Sequence, residues 1–206
     1  DDIWYSEKVN GKWTRAKNLG KTINTPANDN SPQIHADDQT LYFSSAGHPG
    51  FGSMDLFMSE RQADGSWGPP RNLGYPLNTN RDERTLFVNT DGNLGFISSD
   101  REGGFGKIDI YSFEMDPKIQ PKPATYVRGI VLDAETEEHV GNAMVQFIEL
   151  ASGDTVRGLD VAPKNGRFMT NIPLGKDYAA YVEAPGYLLN SQNFSLKNLD
   201  KGQRYF

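Results

Sequence analysis

The 206-residue chain carries 21 Lys and Arg against 27 Asp and Glu, a formal net charge of −6, with no cysteine, 21 glycines and 12 prolines. The lack of cysteine excludes a disulfide frame, a thiolate metal site and a cysteine nucleophile within this sequence, and an acidic balance without a basic stripe excludes a nucleic-acid surface. No apolar run approaches the roughly 20 residues of a spanning helix, and 36% hydrophobic and 11% aromatic residues in short runs indicate a turn-rich all-β chain rather than disorder.

From the first residues onward the chain repeats itself. Trp13 returns as Trp67, Asn18-Leu19-Gly20 as Asn72-Leu73-Gly74, and Asn24 as Asn78, each 54 residues on. Asp37 returns as Asp91, Ser44-Ser45 as Ser98-Ser99, and Gly50-Phe51-Gly52 as Gly104-Phe105-Gly106 at the same offset of 54. Asp2-Ile3-Trp4-Tyr5 has its counterparts in Asp55-Leu56-Phe57-Met58 and Asp109-Ile110-Tyr111-Ser112. A period of this length points to stacked or radial repeats.

Each period reads as four short strands. In the first full unit they are Ser31–His35, Thr40–Ser45, Asp55–Ser59 and Trp67–Leu73, divided by the turn-formers Asp37-Asp38, Gly50-Phe51-Gly52 and Asp64-Gly65. Residues 2–19 supply a third and fourth strand, and residues 83–114 supply three: Arg84–Asn89, Leu94–Ser99 and Ile110–Glu114. Four antiparallel strands per repeat is the anatomy of a propeller blade. No window shows sustained i, i+3, i+4 apolar spacing, which excludes a helical solenoid.

This ordered pattern over residues 2–114 resembles the TolB-type, WD-like propeller repeat. The added Trp…Asn-Leu-Gly…Ile-Asn-Thr string (Trp13, Asn18-Leu19-Gly20, Ile23-Asn24-Thr25) resembles the variant found in envelope proteins with an OmpA-like domain. The expectation is a partial β-propeller of about two and a quarter blades in residues 1–116. A closed propeller needs about four blades, so the chain is expected to be a piece of a longer protein whose N-terminal portion closes the ring. The alternative is an open β array.

After Asp116 come Pro117, Pro121 and Pro123, read as a stiff linker over residues 117–124. Charge divides there too: residues 1–116 hold 11 basic and 17 acidic side chains, and residues 117–206 hold 10 of each. Residues 125–206 read as a small Greek-key β-sandwich of about seven short strands, with candidates at Tyr126–Asp133, Ala143–Leu150, Thr155–Val161, Gly166–Ile172, Tyr178–Glu183 and Tyr187–Ser195. The run Val127-Arg128-Gly129-Ile130-Val131-Leu132-Asp133 is similar to the opening of carboxypeptidase regulatory-like, transthyretin-type domains. Asn142–Val145, Asn165–Phe168, Ile172–Gly175, Tyr178–Val182 and Ala184–Tyr187 extend that resemblance over residues 126–196. It departs at His139-Val140-Gly141, where the family carries a Pro-Leu pair. The resemblance implies a spacer or adhesion module without catalysis.

No group stands out for chemistry. His35, His48 and His139 lie in separate units without zinc-site spacing. Gly50-Phe51-Gly52-Ser53-Met54 fails the nucleophile-elbow pattern, and Lys107 replaces Ser53 in the next repeat. Asp82, Glu83 and Asp100 could form a carboxylate pair, but nothing sets their separation. Asp2, Asp55 and Asp109 read as strand-entry residues that accept turn amides. Asp29, Asn30 and Asp91-Gly92-Asn93 lack the calcium-loop spacing. Gly103-Gly104-Phe105-Gly106 precedes a strand and lacks the Lys-Ser/Thr of a phosphate loop. Trp4, Trp13 and Trp67 could stack sugars, although their place in the repeat favours packing between blades. The expectation is therefore no catalytic, metal or cofactor residue, and no cofactor.

A propeller followed by a regulatory-like sandwich resembles OmpA-family periplasmic proteins, including PorE-type components of the type IX secretion machinery. That resemblance implies a non-enzymatic scaffold in the periplasm at the outer membrane. Its partners would be envelope or secretion proteins, and it would reach peptidoglycan only through a domain outside this sequence. The alternatives are the accessory part of a hydrolase and a carbohydrate-binding surface protein.

Overall fold

The computed structural model describes residues 1–9 and 12–198, and every regular element among them is a β-strand. The chain divides into two compact units, residues 1–123 and 124–206.

The first unit holds three successive repeats, the first as two small two-stranded sheets and the next two as antiparallel meanders. Strands β1 (Trp4–Tyr5) and β4 (Lys17–Asn18) pair antiparallel, and the hairpin β2 (Lys8–Val9) with β3 (Lys12–Trp13) lies between them in sequence. Strands β5 (Asp29–Ile34), β6 (Thr40–Ser45), β7 (Asp55–Glu60) and β8 (Arg71–Asn72) follow as a four-stranded antiparallel meander. Strands β9 (Glu83–Val88), β10 (Leu94–Ser99) and β11 (Asp109–Glu114) form a three-stranded sheet in which each strand pairs with its neighbour in sequence. The register repeats: Ser45↔Asp55, Ser44↔Leu56 and Phe43↔Phe57 in the second sheet become Ser99↔Asp109, Ser98↔Ile110 and Ile97↔Tyr111 in the third.

Strand limits follow local chemistry. The expected strands Thr40–Ser45 and Leu94–Ser99 are β6 and β10 to the residue. Trp67–Leu73 shortens to Arg71–Asn72 with an isolated Trp67–Arg61 bridge, because Pro69 and Pro70 have no N–H to give a ladder.

Packing explains why β6 is buried throughout. Successive side chains of a strand face opposite sides, and both sides of this sheet are covered. Leu41, Phe43 and Phe57 face a core shared with Ile3, Ile23 and Leu19 of the first repeat. Tyr42, Leu56, Met58, Leu73 and Leu77 face a core shared with Leu86, Val88 and Ile97 of the third repeat. The two cores use equivalent positions: Leu56, Leu73 and Leu77 do for the third sheet what Ile3, Leu19 and Ile23 do for the second.

The proline segment after β11 is built into this unit rather than spanning freely. Ile119 is buried in the second core, and its carbonyl accepts the Tyr42 hydroxyl at 2.7 Å. Lys118 O accepts Arg71 at 2.6 Å, and the Lys122 N–H donates to Asp37 at 2.9 Å.

The second unit has six strands among the described residues where about seven were expected. β12 (Ala124–Ile130) pairs with β15 (Arg167–Pro173), and β13 (Met144–Glu149), β14 (Thr155–Asp160), β16 (Asp177–Glu183) and β17 (Asn190–Ser195) make a sheet in the order β14-β13-β16-β17. The expected strand Tyr187–Ser195 starts only at Asn190, beyond the Pro185-Gly186 turn, where Gly186 has φ +84°. Val145, Phe147, Ile172, Tyr178 and Leu196 form its core.

Candidate functional site

The repeated polar residues are engaged with the backbone. Asn78 accepts the Leu56 N–H at 2.8 Å and donates to the Leu56 carbonyl at 2.8 Å, so its carboxamide stands in for a strand residue beside β7. It also donates to Asn72 Oδ1 at 2.7 Å, and that oxygen accepts the Gly74 N–H at 2.8 Å. One repeat earlier Asn24 does the same to Ile3, at 2.7 and 2.9 Å, and reaches Asn18 at 2.8 Å. Positive φ at Gly20 and Gly74, +84° and +71°, allows the turn that brings each clamp round.

A second repeated network surrounds a buried acid. Asp29 accepts the Thr25 N–H at 2.5 Å, the Thr25 hydroxyl at 2.9 Å and the Ser45 hydroxyl at 2.5 Å. Glu83 replaces it 54 residues on, accepting the Thr79 N–H at 2.9 Å, the Thr79 hydroxyl at 2.7 Å and the Ser99 hydroxyl at 3.0 Å. Arg101 adds an ion pair to Glu83 at 3.3 Å. Asp82 instead pairs with Arg84, and its own N–H donates to Asp100 at 2.9 Å. Glu83, one of the three acids whose separation the sequence left unset, is therefore engaged in holding a loop to a strand. The repetition of Thr25 as Thr79, with an acid four residues after each, was the sequence signal for this network.

The strand-entry acids behave in two ways. Asp55 accepts the Phe51 and Gly52 N–H groups at 2.9 and 3.0 Å, and Asp109 accepts the Gly106 N–H at 3.0 Å. Asp2 instead accepts the Asn18 side chain at 2.6 Å. Burial raises the Asp55 pKa against the pull of those two amides. At Asp37 burial also works upward, but bonds from His35, the Gln39 N–H and Thr40 outweigh it and hold the carboxyl at about 2. Asp91, its counterpart, is exposed, and the Asn89 side chain caps that turn through the Asn93 and Leu94 N–H groups.

The histidines are separately anchored. His35 is buried and bonds Asn89 O at 2.8 Å, His48 bonds Ile23 O at 2.9 Å and packs against Phe43 and Phe57, and His139 is exposed beside Leu132. Ser53 is exposed, with no histidine bonded to it among the described residues. Among the described residues no three His, Cys, Asp or Glu side chains gather closely enough to hold a metal ion. The Gly103–Gly106 stretch forms the turn that Asp109 caps. No described helix is long and apolar enough to cross a membrane.

Several large apolar side chains are exposed. Phe51 and Phe105 occupy equivalent turn tips, both exposed. Trp67 is half-buried under Arg61, whose guanidinium lies 4.6 Å from its ring, whereas Trp13 is 71% and Trp4 56% exposed. In the second unit an apolar cleft of about 930 Å³ opens between β12 and the four-stranded sheet, lined by Val127, Val131, Phe147, Phe168, Val182 and Phe194. Asp133 is among its lining residues, its carboxyl held at about 2 by the Thr136 and Glu135 N–H groups and by Tyr187.

No protein-family model matches the chain, and no curated protein matches it either. Among solved structures it is similar to a chain described as "Biofilm associated protein - BSP domain", at 12% identity and a TM-score of 0.24, over 84% of this chain and 30% of that one. The chain thus spans less than a third of that protein's length.

Proposed function

We propose that the first unit is an arc of a β-propeller, the second a carboxypeptidase regulatory-like sandwich, and the whole a non-enzymatic scaffold segment. The propeller reading draws on stacked sheets that repeat one register and one core at a 54-residue spacing. The observation that carries the scaffold reading is the repeated use of asparagine and buried acid to bond the chain's own backbone and hydroxyls. Those residues build a stiff platform and leave its exposed turn tips for partners. By its resemblance to OmpA-family proteins, the platform works in the periplasm at the outer membrane, holding an envelope or type IX secretion complex near the wall. Fold analogy supplies the cellular setting.

The test incubates the purified chain with peptidoglycan sacculi and, separately, with solubilised envelope proteins. The chain should stay in the supernatant with sacculi and retain an envelope protein. Co-sedimentation with sacculi, or hydrolysis of model peptide, ester or glycoside substrates, would contradict the proposal. A second reading, glycan binding, draws on the exposure of Trp4 and Trp13. It requires a soluble-glycan affinity that Trp13→Ala abolishes.

A further inference from the structure

Surface turns are ordinarily polar, and two in the second unit follow the rule: residues 151–154 carry Ser152 and Asp154, and residues 162–165 carry Lys164 and Asn165. The turn between β16 and β17 does not. It sets Tyr187, Leu188 and Leu189 in succession, with Leu188 94% and Leu189 62% exposed. This turn is tied down: the Tyr187 N–H donates to Ala184 O at 3.1 Å, and the Tyr187 hydroxyl bonds the Asp133 carboxylate. Leu132, also exposed, borders the same cleft as Tyr187 and Leu188. Acid surrounds this apolar group. Residues 129–139 and 183–190 hold Asp133, Glu135, Glu137, Glu138 and Glu183, and no Lys or Arg. The Asp133 carboxylate accepts the Glu135 and Thr136 N–H groups, both at 2.8 Å, in a turn that leaves Glu135, Glu137 and Glu138 exposed. Asp133 and Glu138 both raise the Tyr187 pKa, which sets these acids against the apolar turn. Arg128, the one basic residue lining the cleft, is itself engaged.

We infer that the acid-rimmed apolar patch of Leu132, Tyr187, Leu188 and Leu189 is a docking site for a cationic amphipathic segment of a partner protein. Contiguous exposed apolar area is what a protein interface buries at its centre, and rim charge orients the partner. The rim also selects the occupant. An anionic lipid surface would be repelled by it. A second copy docked isologously would set acid against acid. A segment whose leucine-like side chains are flanked by Lys or Arg gains from both apolar burial and charge pairing. The patch lies on the second unit, so it depends neither on the propeller reading nor on where in the cell the chain works.

The experiment titrates the whole chain into a fluorescently labelled peptide, the unit Leu-Lys-Lys-Leu-Leu-Lys-Leu repeated in tandem, and reads polarisation. Saturable binding is expected. It should weaken by about tenfold or more, the worth of one buried leucine, when the chain carries Leu188→Ser with Leu189→Ser. Glu135→Gln, Glu137→Gln and Glu138→Gln together should weaken it at low salt, with the difference shrinking as salt screens the rim. All five positions are exposed, so a native-like circular dichroism spectrum and unfolding midpoint keep the comparison clean. A twin peptide with glutamate in place of every lysine should not bind. No saturable binding would overturn the proposal. So would binding indifferent to either set of substitutions, which would trace the attraction to the net charge of −6 instead. Sedimentation with phosphatidylglycerol vesicles, or a dimer of the chain, that Leu188→Ser with Leu189→Ser abolishes would also overturn it, in favour of a lipid surface or a second copy.

Discussion

Asn78 shows how a single side chain organises a repeat. Its carboxamide bonds a buried N–H and a buried C=O of Leu56 at once; its removal leaves the N–H unmet, while the carbonyl keeps the Leu73 N–H at 3.0 Å. Asn78→Ala is expected to lower stability by about 1–3 kcal/mol, the cost of one buried group left unsatisfied. Urea unfolding of the variant measures it. Asp37 carries the pH dependence at this scale. Its folded pKa of about 2 lies below its ordinary value, so its ionised form stabilises the fold above pH 4. That contribution disappears as pH falls from about 4 to about 2. Asp37→Asn should lower stability at neutral pH and flatten acid unfolding across that window, as followed by fluorescence. Gly52 sits where a β-carbon would be 2.0 Å from Arg81 O, whereas the nearest contact at Gly106 is 3.8 Å. Gly52→Ala is therefore expected to destabilise far more than Gly106→Ala.

Legibility in the sequence divides along the same line. The recurrence of Asn24 as Asn78 was visible, and the strands around it followed from alternation and turn residues. What the asparagines do was not visible, because the groups they satisfy, on Ile3 and Leu56, lie 21 and 22 residues away along the chain. Glu83 illustrates the converse: sequence could not set the separation of Asp82, Glu83 and Asp100, while burial and the Thr79 and Ser99 partners make Glu83 a structural tie.

At the scale of elements, the segment after β11 is the clearest departure from the pattern. Three prolines read as a spacer, yet Ile119 and the Tyr42 hydroxyl fasten it to the neighbouring sheet. Burial raises the Tyr42 pKa, so the hydroxyl stays a donor throughout the ordinary pH range. Tyr42→Phe should cost about 1 kcal/mol and speed hydrogen exchange at the Lys122 N–H, which depends on the same strap. Equal exchange in both proteins would show that the strap is held without that bond. In the second unit, β12 pairs on one side only, with β15, and the apolar cleft opens beside it.

For the whole molecule, the two units have separate cores, one pair in residues 1–123 and one in residues 124–206. Phe147→Ala removes a fully buried ring from the second core and should cost that unit about 3–5 kcal/mol. Unfolding should then show an early transition followed by an unshifted one from the first unit, reported by its three tryptophans, Trp4, Trp13 and Trp67. A single shifted transition would mean that the units unfold as one.

In the proposed scaffold role, the repeats form a platform whose exposed tips meet protein partners in the envelope. Site-specific photo-crosslinking from position 105, where the native Phe105 is fully exposed, tests it in cells that make the full-length protein. Discrete adducts with an envelope or secretion protein are expected, and none from a buried control at Val145. Adducts confined to cytosolic proteins, or no protein adduct from either position, would contradict it.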